Sequence, residues 1–301
     1  MKLLILGSSA STPKINKYNT SQLLRIKSHY ILIDCGEGTQ MQLRKLKISF
    51  SKINHIFISH LHGDHYFGLI GLISTFRLLG RSNDLHIYAP EGLQDLISLQ
   101  LKLSSSWLNY KLIFHTLNDN FQKTILKNKD FTVKTIPLNH RIYTNGFLFE
   151  ENYNQMSIKK SKILEYKLEV SDIKKIKKGE DLTLQDGSKV QNSLFLKKPK
   201  NSKKYAFCSD TAYHPSIIEL ISSADCLYHE STFLDSHYEL AKKTKHSTAS
   251  DAAKIASAAK VGKLILGHFS NRYRNQENFL KEAKLYFENV VLATEGTEFD
   301  I

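Results

Sequence analysis

Cysteine is scarce in this chain. Cys35, Cys208 and Cys226 are the only ones in 301 residues. They are odd in number, far apart and form no CxxC pair, which excludes a disulfide framework and a cysteine zinc knuckle. Long apolar runs are also missing: none reaches the roughly 20 residues of a membrane span. The apolar start Met1–Gly7 is too short and too soon broken to be a signal peptide. These absences point to a reduced cytoplasm and no membrane partner. No Pro/Gly/Ser-rich linker divides the chain, so one domain over residues 1–301 is expected. Arginine is sparse, with Arg25, Arg44, Arg77, Arg81, Arg141, Arg272 and Arg274 the only ones among 42 basic residues. Acidic residues number 29, leaving a net charge of +13. That excess fits an acidic partner, nucleic acid first. It also fits a composition biased toward Lys, Ile and Asn without selection for binding.

Hydrophobic residues make up 41% of the chain, enough for a substantial core. Short apolar runs read as strands at Leu3–Leu6, Tyr30–Asp34, His55–Ser59, Leu85–Ala89, Ile113–Leu117, Phe131–Pro137 and Gly146–Phe149. Four more follow at Tyr205–Ser209, Cys226–His229, Leu264–Gly267 and Val290–Ala293. Helical spacing marks Gln40–Lys47, Phe67–Leu79, Glu91–Leu103 (opened by Pro90), Pro215–Ser222, Thr248–Ala259 and Gln276–Phe287. Asp186-Gly187 within Thr183–Val190 is a hairpin signal. Strands interspersed with helices indicate an α/β protein with large mixed sheets. Glu150–Lys178 differs: it is Lys-rich and weakly periodic, either an inserted arm at about 150–180 or a solvated surface segment.

Chemistry concentrates in Ser59-His60-Leu61-His62-Gly63-Asp64-His65. Three imidazoles and a carboxylate fall within the six residues His60–His65, at a strand-to-helix turn. Nitrogen ligands with one hard oxygen suit Zn²⁺. So many donors in so short a run point to two metals and hence to hydrolysis. His60 and His62, two apart at a strand end, leave on the same side. Asp64 and His65 come after the turn and face a second position, with Gly63 expected to free the backbone for the change of direction. Further ligands are sought at other strand ends, where open sheets gather their sites. His140, Asp210 and His268 each follow an apolar strand directly. His246 precedes a helix in His246-Ser247-Thr248, where an N-cap is the competing explanation. Trp107, with Tyr110 nearby, reads as packing, and the scattered His29, His55, His86, His115, His214 and His237 read as ordinary polar positions.

The run His60–His65 resembles the HxHxDH signature of the metallo-β-lactamase fold. Ser209-Asp210-Thr211, His229-Glu230-Ser231-Thr232-Phe233, His246-Ser247-Thr248 and Gly267–Tyr273 follow in order, and Ile33–Gln40 precedes them. From Gly7 to Glu295 this series is similar to the ribonuclease Z family, endonucleases that remove the 3′ trailer from precursor tRNA.

The resemblance implies a metallo-β-lactamase fold, a four-layer αβ/βα sandwich of two mixed β-sheets flanked by helices, and a homodimer. It implies one Zn²⁺ on His60, His62 and His140, a second on Asp64, His65 and His268, and Asp210 bridging them, with Mn²⁺ as the alternative ion. Two-metal phosphodiester hydrolysis would leave a 3′-hydroxyl on the tRNA and a 5′-phosphate on the trailer. Asp64 would also orient the attacking water and accept its proton. His246 would donate to the leaving 3′ oxygen or stabilise its charge, and Glu230 would hold His246 in the useful tautomer. Asp34 would organise the site, with His268 and His140 as its neighbours. Thr12–Asn19 resembles the family loop near the tRNA 3′ end, keeping Pro13 and Asn19 but carrying Lys17-Tyr18 where a single Arg is commoner. The segment 150–180 aligns with the family's tRNA-gripping arm but lacks its Gly-Pro tip; Val170-Ser171-Asp172 stands there instead. The alternative is a metallo-hydrolase of the same fold acting on a small phosphodiester, lactone or sulfate ester. The His246 and Glu230 motifs and the basic charge favour RNA.

Overall fold

The computed structural model describes residues 1–152, 158–184, 187–197 and 202–301. They form two compact units, one of Met1–Glu150 with Lys203–Ile301 and one of Glu151–Ser202. In chain order the first unit begins with β1 (Lys2–Gly7), β2 (Ser21–Ile26), β3 (His29–Ile33), β4 (Ile53–Phe57) and β5 (Leu85–Pro90). β6 (Leu112–Leu117), β7 (Thr124–Lys127), β8 (Phe131–Pro137) and β9 (Asn145–Glu151) follow. β10 (Leu182–Thr183) and β11 (Lys189–Val190) belong to the second unit. β12 (Lys204–Cys208), β13 (Cys226–Glu230), β14 (Leu264–Gly267), β15 (Val290–Leu292) and β16 (Glu298–Asp300) complete the first.

Two seven-stranded sheets result, ordered β16-β1-β2-β3-β4-β5-β6 and β15-β14-β13-β12-β9-β8-β7. β3 to β6 run parallel, as do β12 to β15, while the β16-β1-β2-β3 edge and the β12-β9 and β8-β7 pairs are antiparallel. Continuous apolar runs are what a sheet buried on both faces requires. Successive residues leave on opposite sides: Leu3 and Ile5 enter the core between the sheets, and Leu4 and Leu6 pack on the other face. Phe57, Tyr88, Phe131, Phe147, Phe149, Tyr205, Phe207 and Tyr228 fill the space between the sheets. Helices Thr39–Lys45, Leu69–Leu78 and Leu93–Leu103 cover one outer face through Leu43, Leu72, Phe76 and Ile97. Helices Ala249–Ala258 and Glu277–Ala283 cover the other, with Ala249, Ala252, Ala253 and Ala256 permitting close approach. The layers are therefore helix, sheet, sheet, helix, the expected sandwich of two mixed sheets.

Several local expectations shift. Pro90 ends β5 rather than opening a helix, and the chain turns at Gly92, whose φ of 92° only glycine adopts readily, before helix Leu93–Leu103. Pro215 opens only a 3₁₀ turn, Pro215–Ile217. Trp107 is 77% exposed rather than packed.

His55, His86 and His115 form a stacked row across β4, β5 and β6, with ring centroids 5.2 and 5.3 Å apart. His86 Nδ1 and His115 Nε2 lie 3.0 Å apart. His55 packs edge-on against Phe131, and its buried Nδ1 has no hydrogen-bond partner. Burial first, then the neighbouring imidazoles His86, His29 and His115, push its pKa down to about 4. The folded state thus refuses a proton that the unfolded chain accepts near 6.5. Stability is expected to be full above pH 6.5 and to fall as pH drops toward 4, by about 2–3 kcal/mol from this residue. Urea denaturation of wild type and His55→Phe at pH 7.5 and 4.5 checks this; equal pH dependence in both proteins would sink it.

The second unit holds helices Lys160–Glu165, Val170–Lys177 and Asn192–Phe195 and the antiparallel pair β10–β11. Its small core is Ile158, Leu168, Ile176, Leu182 and Phe195. The hairpin read at Asp186-Gly187 has its flanking strands paired, while Asp186 itself lies outside the described residues, as does part of the 150–180 segment. Where the family's Gly-Pro tip would fall, Glu169 and Asp172 form a capping box at the start of helix Val170–Lys177.

Candidate metal centre

The expected donors converge beyond one end of the two sheets. The turn after β4 carries His60 and His62, and the short helix Gly63–Tyr66 that follows carries Asp64 and His65. His140 follows β8, Asp210 follows β12 and His268 follows β14. His60, His62, His140 and Asp210 offer ligand atoms all within 4.8 Å of one another, and so do Asp64, His65 and His268. Asp210 faces both groups. Its Oδ1 lies 3.3 Å from His65 Nε2 and 3.2 Å from His268 Nε2, and its Oδ2 lies 3.7 Å from His60 Nε2 and 3.9 Å from His140 Nε2. Asp64 Oδ2 sits 3.3 Å from His268 Nε2 and accepts the Ser11 backbone N–H at 2.7 Å.

Two buried carboxylates orient four of the imidazoles. Asp34 accepts from His65 Nδ1 at 2.7 Å and from the Ser59 hydroxyl at 2.9 Å. The Ser59 oxygen in turn meets His60 Nδ1 at 3.0 Å. Glu230 accepts from His246 Nδ1 at 2.7 Å and from the Thr232 hydroxyl, whose oxygen meets His268 Nδ1 at 2.8 Å. His140 Nδ1 donates to the Lys245 carbonyl at 2.9 Å. With each Nδ1 committed, Nε2 of His60, His65, His140 and His268 keeps its face toward the cluster, the arrangement that prepares an imidazole for metal. His62 instead presents Nδ1, 2.9 Å from His60 Nε2.

Electrostatics agree with this donor set. Burial pushes the pKa values of His60, His62 and His140 down, so they stay neutral with lone pairs available. Burial opposes protonation of His65, yet Asp210, Asp64 and Asp34 outweigh it and raise its pKa well above the usual value. Carboxylates packed this closely demand positive charge, and basic nitrogens 2.9 Å apart need a proton or cation between them. The residues therefore fit divalent metal. His246 stands beside this cluster: burial lowers its pKa, but Glu230 and then Asp210 lift it to about 9.

The backbone pays attention to the same residues. Asp34, Lys245 and His268 all have positive φ, at 55°, 55° and 59°, where non-glycine residues are uncommon. Lys245 ends helix Tyr238–Thr244 in this conformation, aiming its carbonyl at His140. Lys245→Gly is expected to raise stability by about 1 kcal/mol while preserving that carbonyl. Chemical denaturation reads this, and a loss of stability would show that the lysine side chain matters more than the turn.

Two sequence expectations change. Asp34 holds His65 and Ser59, rather than His268 and His140. Gly63 opens a helical turn without positive φ, so the expected backbone freedom is not used; a Cβ there would meet only the ring of exposed Phe67, which can turn away. Gly36 is the glycine that space requires, because its Cβ would lie 2.4 Å from the Asp64 carbonyl oxygen. Ser59 and the orienting role of Thr232 were not singled out by sequence. Their signal is position alone: Ser59 adjoins His60, and Thr232 lies two residues after Glu230.

Residues 1–290 match the family described as "Anti-Pycsar protein Apyc1". A protein of Bacteroides fragilis named ribonuclease Z is 45% identical over 295 residues, covering 98% of this chain and 97% of its own. Ribonuclease Z of Cytophaga hutchinsonii is 46% identical over 299 residues, covering 99% and 95%. The chain belongs to the ribonuclease Z family. The crystal structure of human tRNase Z, short form, superposes with a TM-score of 0.73 at 27% identity, covering 100% of this chain and 99% of that one. The metallo-β-lactamase fold expected for the ribonuclease Z family is thereby the fold of this chain. Among the described residues no helix is long and apolar enough to cross a membrane.

Proposed function

We propose that the chain is a metal-dependent endoribonuclease that removes the 3′ trailer from precursor tRNA, leaving a 3′-hydroxyl on the tRNA and a 5′-phosphate on the trailer. The observation that carries this reading is Asp210 joining two converging donor sets beside the His246–Glu230 pair, in a chain of the ribonuclease Z family. One Zn²⁺ would be held by His60, His62 and His140 and a second by Asp64, His65 and His268, with Asp210 shared; Mn²⁺ suits the same donors less specifically. When bound, the two ions activate water and offset charge on the phosphoryl oxygens.

The protein's own groups do the rest. Asp64, fixed by the Ser11 N–H, accepts the proton of the attacking water. His246, protonated and oriented through Nδ1 by Glu230, gives its Nε2 proton to the leaving 3′ oxygen. Asp34 keeps His65 and, through Ser59, His60 in the ligating tautomer, and Glu230 does the same for His268 through Thr232. Lys174, Lys175, Lys177 and Lys178 in the 151–202 unit supply phosphate contacts as a tRNA-binding arm, giving strongly salt-dependent affinity. The enzyme works in the cytoplasm as a homodimer.

The test is cleavage of end-labelled precursor tRNA by metal-loaded protein, with ion analysis on the same preparation. The expected product ends in a 3′-hydroxyl after the discriminator nucleotide, and intact tRNA inhibits turnover of bis-p-nitrophenyl phosphate. Normal binding without any cleavage would overturn the reading. Cleavage of the small ester unaffected by tRNA would favour a hydrolase of small phosphodiesters.

A further inference from the structure

A pocket of about 550 Å³ opens beside His62, within the roughly 300–1,000 Å³ range of small-ligand sites. Leu61, Pro90, Leu117, Ile142 and Tyr143 form its apolar walls, with His62 as the wall it shares with the metal centre. The Tyr143 ring is pinned at its far end, where its hydroxyl donates to the Asp119 carbonyl at 3.2 Å and accepts from Asn145 Nδ2. Glu91 and Asn118 complete the lining, which contains no Lys or Arg.

That chemistry selects one part of a nucleotide. A carboxylate at the rim with no cation to answer it disfavours a phosphate. Apolar walls around a fixed phenol favour a flat, uncharged ring, since every base has a stacking face. Position then selects which nucleotide. His62, His140 and His246 form a row, with centroids 5.0 Å apart at each step. The proton donor for the leaving 3′ oxygen stands at one end, so the tRNA nucleoside lies there. The pocket lies at the other end, on the side left for the nucleoside that keeps the phosphate.

We propose that this pocket receives the base of the first trailer nucleotide, the one joined through its 5′ oxygen to the scissile phosphate. This rests on the reading of the chain as a trailer-removing endoribonuclease. Tyr143 is a positioning residue that acts on binding rather than on the reacting atoms.

The experiment compares precursor tRNA carrying a normal or an abasic first trailer nucleotide, cut by wild type, Tyr143→Ala and Tyr143→Phe. Wild type is expected to show a KM about 5- to 100-fold higher on the abasic substrate, the range of base–aromatic stacking, with kcat little changed. Tyr143→Ala should show a similar rise on the normal substrate and no further rise on the abasic one. Tyr143→Phe, which keeps the ring, should behave as wild type. Equal circular dichroism and equal thermal midpoints in the three proteins show that both variants are folded, and the abasic comparison in wild type tests the pocket without any substitution. Equal cleavage of both substrates by wild type overturns the pocket assignment alone. So does an abasic effect undiminished in Tyr143→Ala. Failure of wild type to cut either precursor overturns the functional reading and this assignment together.

Discussion

Replacing His246 with alanine is expected to lower kcat on precursor tRNA by about 10²–10⁴-fold, the usual worth of a positioned proton donor. KM and metal content should stay near wild type, because His246 is outside both proposed ligand sets. The substrate's leaving group provides the sharper reading. A ribose 3′ oxygen leaves poorly without a proton, whereas p-nitrophenolate is stable as an anion. The loss on bis-p-nitrophenyl phosphate should therefore be far smaller than the loss on RNA. Equal losses on both substrates would make His246 a structural residue of the loop before helix Ala249–Ala258. Glu230→Gln should differ in kind. Glu230 holds His246 directly and His268 through Thr232, so this change should cost about 10–100-fold in activity and also weaken metal retention.

The positions of these residues were legible because each follows a buried apolar strand, and such strands announce themselves by composition. Phe131–Pro137 and Leu264–Gly267 have the same bounds in sequence and structure. β2 was not legible. Its Ser21 and Gln22 look like surface residues, yet both are fully buried, and the Gln22 amide oxygen accepts from the Tyr205 hydroxyl of the other sheet. A polar residue in a core strand is explained only by its distant partner. The same holds for Asp34, whose left-handed backbone sets its carboxylate against His65, 31 residues away. Period and composition describe neighbours along the chain, and these contacts depend on how two sheets close on each other. The helices of the 151–202 unit were missed for a different reason: Val170–Lys177 buries only Ile176, so lysines swamp its apolar stripe.

Asp210→Asn is the substitution expected to do most damage for least change in shape. Asp210 is 2% exposed, with one oxygen toward His65 and His268 and the other toward His60 and His140. A carboxylate can serve both sides as an acceptor. A carboxamide cannot, because it turns an oxygen to one side and an NH₂ to the other. Whichever set faces the NH₂ loses an anionic ligand and gains a donor pointed at its cation. Breaking a buried charge pair from one side costs about 3–5 kcal/mol, or roughly 10²–10⁴-fold in affinity for the ion on that side. Metal analysis should find at most one ion per chain after dialysis, with activity lower by a similar factor or more. Thermal unfolding gives an independent reading, since an ion that binds only the folded chain stabilises it by mass action. Chelator should lower the Tm of wild type more than that of Asp210→Asn. Two retained ions with near-normal activity would mean that each donor set holds its metal alone and that Asp210 serves neither.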